Sequence, residues 1–108
     1  MKKLNARQLV PYKQKRLRFG KYLDITTGHV TRADMGKLER DDCPLVAYPY
    51  NEGCWVHIAD DVTRNDLERL GFSEGFCGVF VMVRAASCQF IKLDCDGWQY
   101  AGLKHYDW

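Results

Sequence analysis

The sequence contains no long hydrophobic run. Its longest uninterrupted stretch of apolar residues is Val79–Val83, far shorter than the ~18–20 residues that a membrane-spanning helix needs. The opening Met-Lys-Lys-Leu is not followed by the apolar stretch of roughly 7–15 residues that marks a secretory signal. We therefore expect no membrane association and a cytoplasmic location.

Cysteine occurs five times, and an odd number does not suit a framework of paired disulfides. In the cytoplasm these thiols are reduced by default, and most should behave as small buried apolar residues. No cysteine is placed beside a basic cluster that would lower its pKa, and Cys77, near a predicted helix start, falls on the apolar face. The sequence therefore locates no catalytic cysteine.

One pair of residues, Cys54-x-x-His57, has the spacing of a zinc-binding pair, with Cys43 and His29 as candidates to complete the site. The pair falls on a predicted strand, where residues three apart point to opposite faces of the sheet. Tetrahedral zinc needs its ligands to converge on one point. We therefore predict no metal site, and nothing in the sequence indicates a cofactor.

Acidic residues are missing from residues 1–23, which contain eight basic side chains. The remaining 85 residues hold eight basic and fourteen acidic side chains, so the net charge of +2 conceals a basic arm and an acidic body. We predict a basic N-terminal arm, residues 1–20, and a single domain, residues 21–108. Such an arm suits contact with nucleic acid, with an acidic protein or with the body itself. The candidate contact residues in the arm are Lys13, Lys15, Arg16 and Arg18.

Length and hydropathy patterning predict a single α+β domain. A chain of 108 residues has the length of one typical domain. Phe76, Val79, Phe80 and Val83 stand at the spacing of one buried helical face. The predicted order is β-α-β-β-α-α-β-β, with about five strands in one mixed or antiparallel sheet and two or three helices packed on a face. The predicted strands are residues 21–27, 45–50, 54–59, 89–93 and 98–101, and the predicted helices are residues 32–40, 61 or 63 to 70, and 73–86.

Polar side chains capable of chemistry follow two of the predicted strands. Thr27 and His29 come after the first strand, and Asp94 and Asp96 form an Asp-x-Asp-Gly turn after the fourth. If these strands are parallel neighbours, His29 lies near Asp94, either as a hydrogen bond that fixes the fold or as the polar part of a binding site. The turn is similar to the nucleophile motif of haloacid-dehalogenase-type phosphatases, but only eleven residues follow Gly97, too few for the rest of such a domain. We interpret it as a structural turn, with a divalent metal site as the alternative.

Several aromatic residues fall on predicted strands: Tyr48, Tyr50, Trp55, Trp98 and Tyr100. Exposed together on one sheet face, they would form a platform on which bases stack or a hot spot for a protein partner. Half-burial under the helices is the commoner arrangement, and we expect that arrangement here.

Five short motifs occur in order along the chain: Ile25–Thr31, Gly53–Ile58, Leu70–Phe76, Ile91–Gly97 and Leu103–Trp108. Read together, they resemble a family of small bacterial domains of unknown function found largely on plasmids, phages and other mobile elements. The resemblance covers about residues 24–108 and leaves the basic arm outside it. It implies a mobile-element protein of the cytoplasm that binds a host protein, blocks a defence complex or regulates the element.

Three hypotheses of function follow. The first is a non-enzymatic binding module that recognises a host or element-encoded protein through its acidic body or an aromatic sheet face. The second is a nucleic-acid-binding accessory protein that places its basic arm on phosphates. The third is a small enzyme that uses His29 with Asp94 and Asp96.

Overall fold

The computed structural model describes residues 19–108, so the arm residues Lys13, Lys15, Arg16 and Arg18 lie outside the described residues. Within the described part, the chain forms four β-strands and three α-helices in the order β-α-β-β-α-α-β. The strands are β1 Tyr22–Thr26, β2 Ala47–Tyr50, β3 Gly53–His57 and β4 Phe90–Asp94. The helices are α1 Arg32–Leu38, α2 Arg64–Arg69 and α3 Glu74–Ala85. A 3-10 turn, Thr27–His29, leads from β1 towards α1.

The strands form one mixed sheet in the spatial order β1-β4-β3-β2. β1 and β4 are parallel neighbours, with Ile25 opposite Leu93, whereas the β4–β3 and β3–β2 pairs are antiparallel. The prediction of an α+β fold with a small mixed sheet is therefore confirmed. The parallel pair also brings the carboxyl ends of the first and last strands to the same edge of the sheet.

The prediction of a fifth strand at residues 98–101 is wrong. The Thr26 N–H does reach the Trp98 carbonyl at 2.9 Å. The Tyr100 N–H, two residues further on, would have to donate to β1 to continue the strand pairing. It donates instead to the ring of His29 at 2.9 Å. A buried side chain thus takes the hydrogen bond that would have extended the sheet, and the observed order of elements ends at β4.

Each α-helix begins where a hydroxyl side chain caps its first turn. Thr31 and Asp34 form a reciprocal capping box on α1, with bonds of 3.0 and 2.8 Å. Thr63 and Asp66 repeat this arrangement on α2, and Ser73 caps α3. The predicted starts of the first and third helices are confirmed, because capping is a local interaction that short sequence patterns reveal.

One face of the sheet is buried against the helices. Because side chains alternate along a strand, the residues between the buried ones lie on the opposite face. Among residues 19–108 no helix covers that opposite face, which we call the open face. The buried residues of the sheet are Ile25, Cys54, Val56, Ile91 and Leu93, and they share one core with Leu38, Leu67, Phe76 and Phe80 of the helices.

The strand aromatics lie on the open face, so the expectation that they are half buried under the helices is wrong. Tyr48, Tyr50 and Trp55 all point away from the core. The helices pack instead against the smaller side chains that alternate with them. Trp98 and Tyr100 lie outside the sheet, 71% and 37% exposed. None of the helices in residues 19–108 has the length and apolar character needed to cross a membrane.

Candidate functional site

His29 is buried and bonded at both ring nitrogens. Its Nε2 accepts a hydrogen bond from the Tyr100 N–H at 2.9 Å, and its Nδ1 lies 2.6 Å from the Lys104 carbonyl oxygen. Since Nε2 is the acceptor, the proton is on Nδ1 and is donated to Lys104, which makes the ring neutral. His29 is only 1% exposed. It therefore joins the end of β1 to the end of the chain, and its hydrogen-bond partner is not Asp94.

The C-terminal segment, residues 98–108, packs across the starts of α1 and α3. The Tyr106 N–H donates to the Gly28 carbonyl at 2.7 Å, and the Trp108 indole N–H donates to the Val30 carbonyl at 2.8 Å. The Tyr106 hydroxyl accepts from the Gly75 N–H at 3.1 Å. A Cβ at Gly75 would stand only 2.7 Å from the Tyr106 ring, so this approach requires glycine.

These contacts explain part of the motif series found in the sequence. The motifs at residues 25–31, 70–76 and 103–108 meet where the C-terminal segment docks. Their residues are needed for packing and hydrogen bonding at that place. The sequence showed the motifs but not that they touch, because the partners are separated by 30 residues or more.

Asp34 links two helices from a fully buried position, 0% exposed. Besides the capping bond from the Thr31 N–H, its carboxylate accepts from the Ser73 N–H at 2.8 Å and from the Ser73 hydroxyl at 2.5 Å. One side chain thus serves the first turns of both α1 and α3. Sequence reasoning identified both caps but missed their connection, which only the tertiary structure creates.

Both carboxylate oxygens of Asp94 accept hydrogen bonds from groups within the protein. Oδ1 accepts from the Asp96 N–H at 2.8 Å, and Oδ2 accepts from the Tyr50 hydroxyl at 2.6 Å. The Tyr50 bond, followed by the Asp96 amide, lowers the pKa of Asp94 below its usual value. Burial, followed by the Asp94 carboxylate, raises the pKa of Tyr50. These bonds shape the turn and fix the Tyr50 ring.

Asp94, Cys95 and Asp96 are, within residues 19–108, the one group of three metal-ligating side chains that lie close together, with ligand atoms within 4.8 Å. Cys95 and Asp96 are exposed. Cys54 is buried while His57 is exposed on the opposite face, as the argument against a shared zinc ion predicted.

All five cysteine thiols are free. Burial raises the pKa of Cys54 to about 11, and burial also raises the pKa of Cys77. The pKa of Cys95 is raised by burial and by the neighbouring carboxylates, Asp96 first. Each of these three shifts reduces the thiolate fraction at neutral pH, which is opposite to what a cysteine nucleophile requires.

The open face carries a row of aromatic rings in mutual contact. The ring centroids of Tyr22 and Trp55 are 4.8 Å apart, those of Trp55 and Phe90 are 6.1 Å apart, and those of His57 and Phe90 are 5.2 Å apart. Tyr22 is 53% exposed. His57 is also exposed, whereas Trp55 and Phe90 are half-buried. Contiguous rings that are at least partly exposed on a sheet are typical of a recognition surface.

The charges of the open face come from Asp24, Lys92 and Asp94. The ammonium of Lys92 lies 5.8 Å from the Trp55 ring centroid. One carboxylate oxygen of Asp24 is buried and has no hydrogen-bond partner among residues 19–108. Over those residues the chain has nine basic and fourteen acidic side chains, so both the face and its surroundings are net negative.

Thr27, the remaining candidate from the sequence, lines a cleft at the edge of the sheet where β1 and β4 end. We call it the end cleft; its volume is about 290 Å³. His29 and Asp94 do not line it, so the structure does not gather the four polar candidates into one cavity. The end cleft is lined by Thr27, Met35, Glu39, Tyr50, Asn51, Glu52, Gly53, Cys95 and Trp108.

Residues 22–108 match a family described as "Family of unknown function (DUF5983) C-terminal domain". The chain belongs to this family. The match includes the whole sheet, the open face and the C-terminal segment, and it begins one residue after the last basic residue of the N-terminal stretch. A search of curated proteins found no match, and a search of solved structures found none either.

Proposed function

We propose that this domain is a non-enzymatic binding module whose open face contacts a protein. The observation that carries the proposal is the continuous row of rings formed by Tyr22, Trp55, Phe90 and His57, of which Tyr22 and His57 are exposed and Trp55 and Phe90 are half-buried. Aromatic side chains bury much area at little entropic cost and dominate the energy of protein interfaces. The rings project from strands that are hydrogen-bonded in one sheet, so their backbone is already ordered before binding.

Charge favours a protein over nucleic acid as the partner of this face. The open face has two carboxylates, Asp24 and Asp94, and one ammonium, Lys92, so its net charge is negative. The described part of the chain is also acidic overall. Phosphates would be repelled by this field, whereas a protein carrying basic and apolar side chains complements it. A nucleic-acid role would have to rest on the basic arm instead.

The surroundings of His29 and Asp94, on which the enzyme alternative depends, also support a binding role. His29 is buried and donates and accepts through its two nitrogens within the fold. Asp94 is engaged by Tyr50 and by the Asp96 amide. A general acid or base must reach a proton on the substrate, and neither side chain presents an unused atom for that task.

The setting of this activity is part of the same proposal. The motif resemblance supports a bacterial mobile element, action in the cytoplasm, and a partner encoded by the host or by the element. Interference with a defence complex and regulation of the element are the two roles that such binding would serve.

The test compares the open face with a matched surface on the helical side. Tyr22→Ser with Tyr48→Ser removes two exposed rings from the open face, and Val81→Ser with Met82→Ser removes two exposed apolar groups from α3. Proteins captured from nuclease-treated bacterial lysate by the full chain are identified, purified and titrated against all three forms. We expect the open-face variant to lose at least tenfold in affinity, because central aromatic residues contribute ~2 kcal/mol or more each.

Two results would contradict the proposal. One is a purified partner that binds the open-face variant as tightly as the unmodified protein. The other is binding of the purified partner that is lost when residues 1–20 are deleted, which would assign the interaction to the arm.

A further inference from the structure

The end cleft is a concave site at the carboxyl edge of the parallel strand pair. It is bounded on one side by α1, through Met35 and Glu39, and on the other by the turn between β2 and β3, through Tyr50 and Glu52. Trp108 of the C-terminal segment completes the lining. Its volume of about 290 Å³ is at the lower end of the ~300–1,000 Å³ found for ligand pockets. The end cleft therefore has room for one long side chain.

The two aromatic walls of the end cleft are held in place by hydrogen bonds. The Trp108 indole N–H donates to the Val30 carbonyl at 2.8 Å, and the Tyr50 hydroxyl donates to Asp94 at 2.6 Å. The Arg32 guanidinium lies 5.7 Å from the Trp108 ring centroid, within the range of a cation–π contact. A ligand would meet preformed walls and would not have to order them.

The charged side chains of the end cleft determine whether it favours a cationic or an anionic ligand. Among residues 19–108, the charged side chains that line the end cleft are Glu39 and Glu52, and no lysine or arginine of that range lines it. The acidic turn of Asp94 and Asp96 is adjacent, because the Cys95 N–H donates to the Glu52 carbonyl at 2.9 Å. Carboxylates next to aromatic faces favour guanidinium or ammonium groups and repel anions.

We propose that the end cleft receives a basic side chain, arginine above all, from the protein that binds the open face. This inference rests on the proposed function and adds the specificity pocket to it. Tyr50 connects the two surfaces, since it belongs to the open face and also lines the cleft. A partner segment that crosses the open face along β2 reaches the cleft at Tyr50, where its arginine enters between the rings and the carboxylates.

The first arm of the test uses a small probe. N-acetyl-arginine amide is titrated into the full chain and followed by amide and indole NMR shifts, with the citrulline analogue as its neutral isostere. We expect saturable shifts at Glu52, Cys95 and the Trp108 indole with arginine, and at least tenfold weaker binding with citrulline. Equal shifts for the two probes, or shifts elsewhere on the surface, would overturn the inference.

The second arm uses charge-matched variants. Glu39→Gln with Glu52→Gln removes both charges of the end cleft, and Asp60→Asn with Asp61→Asn removes two exposed charges outside it. We expect only the cleft variant to lose at least tenfold in affinity for the arginine probe and for the purified partner. Thermal unfolding of both variants checks that the fold is intact, which exposed carboxylates should not affect.

The two proposals fail in different ways. If the cleft variant binds the purified partner normally while the open-face variant does not, the arginine pocket is refuted and the binding face stands. If the open-face variant binds normally, the proposed function is refuted. If N-acetyl-arginine amide binds in the end cleft but the purified partner binds the cleft variant as tightly as the unmodified protein, the cleft recognises a free small molecule and the inference about a partner side chain is wrong.

Discussion

Replacing Asp34 tests most directly how the helices are joined to one another. Asp34→Ala removes a fully buried carboxylate that accepts hydrogen bonds from the Thr31 N–H, the Ser73 N–H and the Ser73 hydroxyl. Without it, two backbone N–H groups at the starts of α1 and α3 lose their acceptor. An unsatisfied buried donor costs ~1–3 kcal/mol.

Two such donors and the loss of the hydroxyl bond together give a destabilisation of about 3–5 kcal/mol. A domain of this size is stable by roughly 5–15 kcal/mol, so the variant should be close to unfolding. Asp66 provides the matched control, because it forms the same capping box on α2 and has no tertiary hydrogen-bond partner among residues 19–108. Asp66→Ala should therefore cost clearly less than Asp34→Ala.

Urea denaturation followed by circular dichroism measures both variants against the unmodified protein. A double-mutant cycle with Ser73→Ala should give a coupling energy of about 1 kcal/mol or more between Asp34 and Ser73. Equal losses for Asp34→Ala and Asp66→Ala, or a coupling near zero, would refute the view that Asp34 holds α1 and α3 together.

Further predictions concern the C-terminal segment, the Asp94 turn and the thiols. Gly75→Ala should expel the C-terminal segment, because the new Cβ would lie 2.5 Å from a backbone oxygen and 2.7 Å from an aromatic ring; hydrogen exchange of the Trp108 indole should accelerate. Tyr50→Phe should destabilise the protein at pH 7. The pKa of Asp94 is lowered in the folded state. The loss in free energy of unfolding caused by Tyr50→Phe should therefore be largest above pH ~4 and should shrink as the pH falls below that value. Urea titrations at several pH values measure it. The exposed thiol of Cys95 should react with iodoacetamide more slowly than a model thiol at pH 8, measured by peptide mass spectrometry, because its acidic neighbours raise its pKa.

Each of these has a result that would count against it. Gly78→Ala is the control for Gly75→Ala, because no atom of residues 19–108 lies within 4 Å of the added Cβ, and it should stabilise α3 slightly. Identical behaviour of the two variants would exclude the steric argument. If Tyr50→Phe lowers the free energy of unfolding by the same amount at every pH, the hydrogen bond from the Tyr50 hydroxyl to the ionised Asp94 is not the cause of the destabilisation. Rapid alkylation of Cys95 would contradict the raised pKa.

The sequence predicted those features that depend on neighbours in the chain. The caps at Thr31 and Ser73 were correct, because capping needs only the few residues that follow. The sequence places the carboxyl ends of β1 and β4 side by side only if these strands are parallel neighbours, and in the structure they are. Helix positions followed from apolar spacing, as in the face that includes Phe76 and Phe80.

Long-range partners could not be predicted in this way. His29 bonds to residues 71 and 75 positions further along the chain. From the sequence alone, nothing distinguishes Asp94 from Tyr100 as the hydrogen-bond partner of His29. The fifth strand failed for the same reason, since its N–H group was taken by a ring that no local pattern places there. The face that the aromatics occupy also depends on which side the helices cover.

β4 follows β1, β2 and β3 in the chain and yet is an interior strand of the sheet, flanked by β1 and β3. Among residues 19–108, β1 pairs with β4 alone, and the hairpin of β2 and β3 presents an unpaired edge until β4 joins it. Unpaired strand edges are sites where incompletely folded chains adhere to one another. The four-stranded sheet therefore cannot form before β4 has been made, and a chain that lacks β4 is expected to aggregate rather than to fold as a smaller domain.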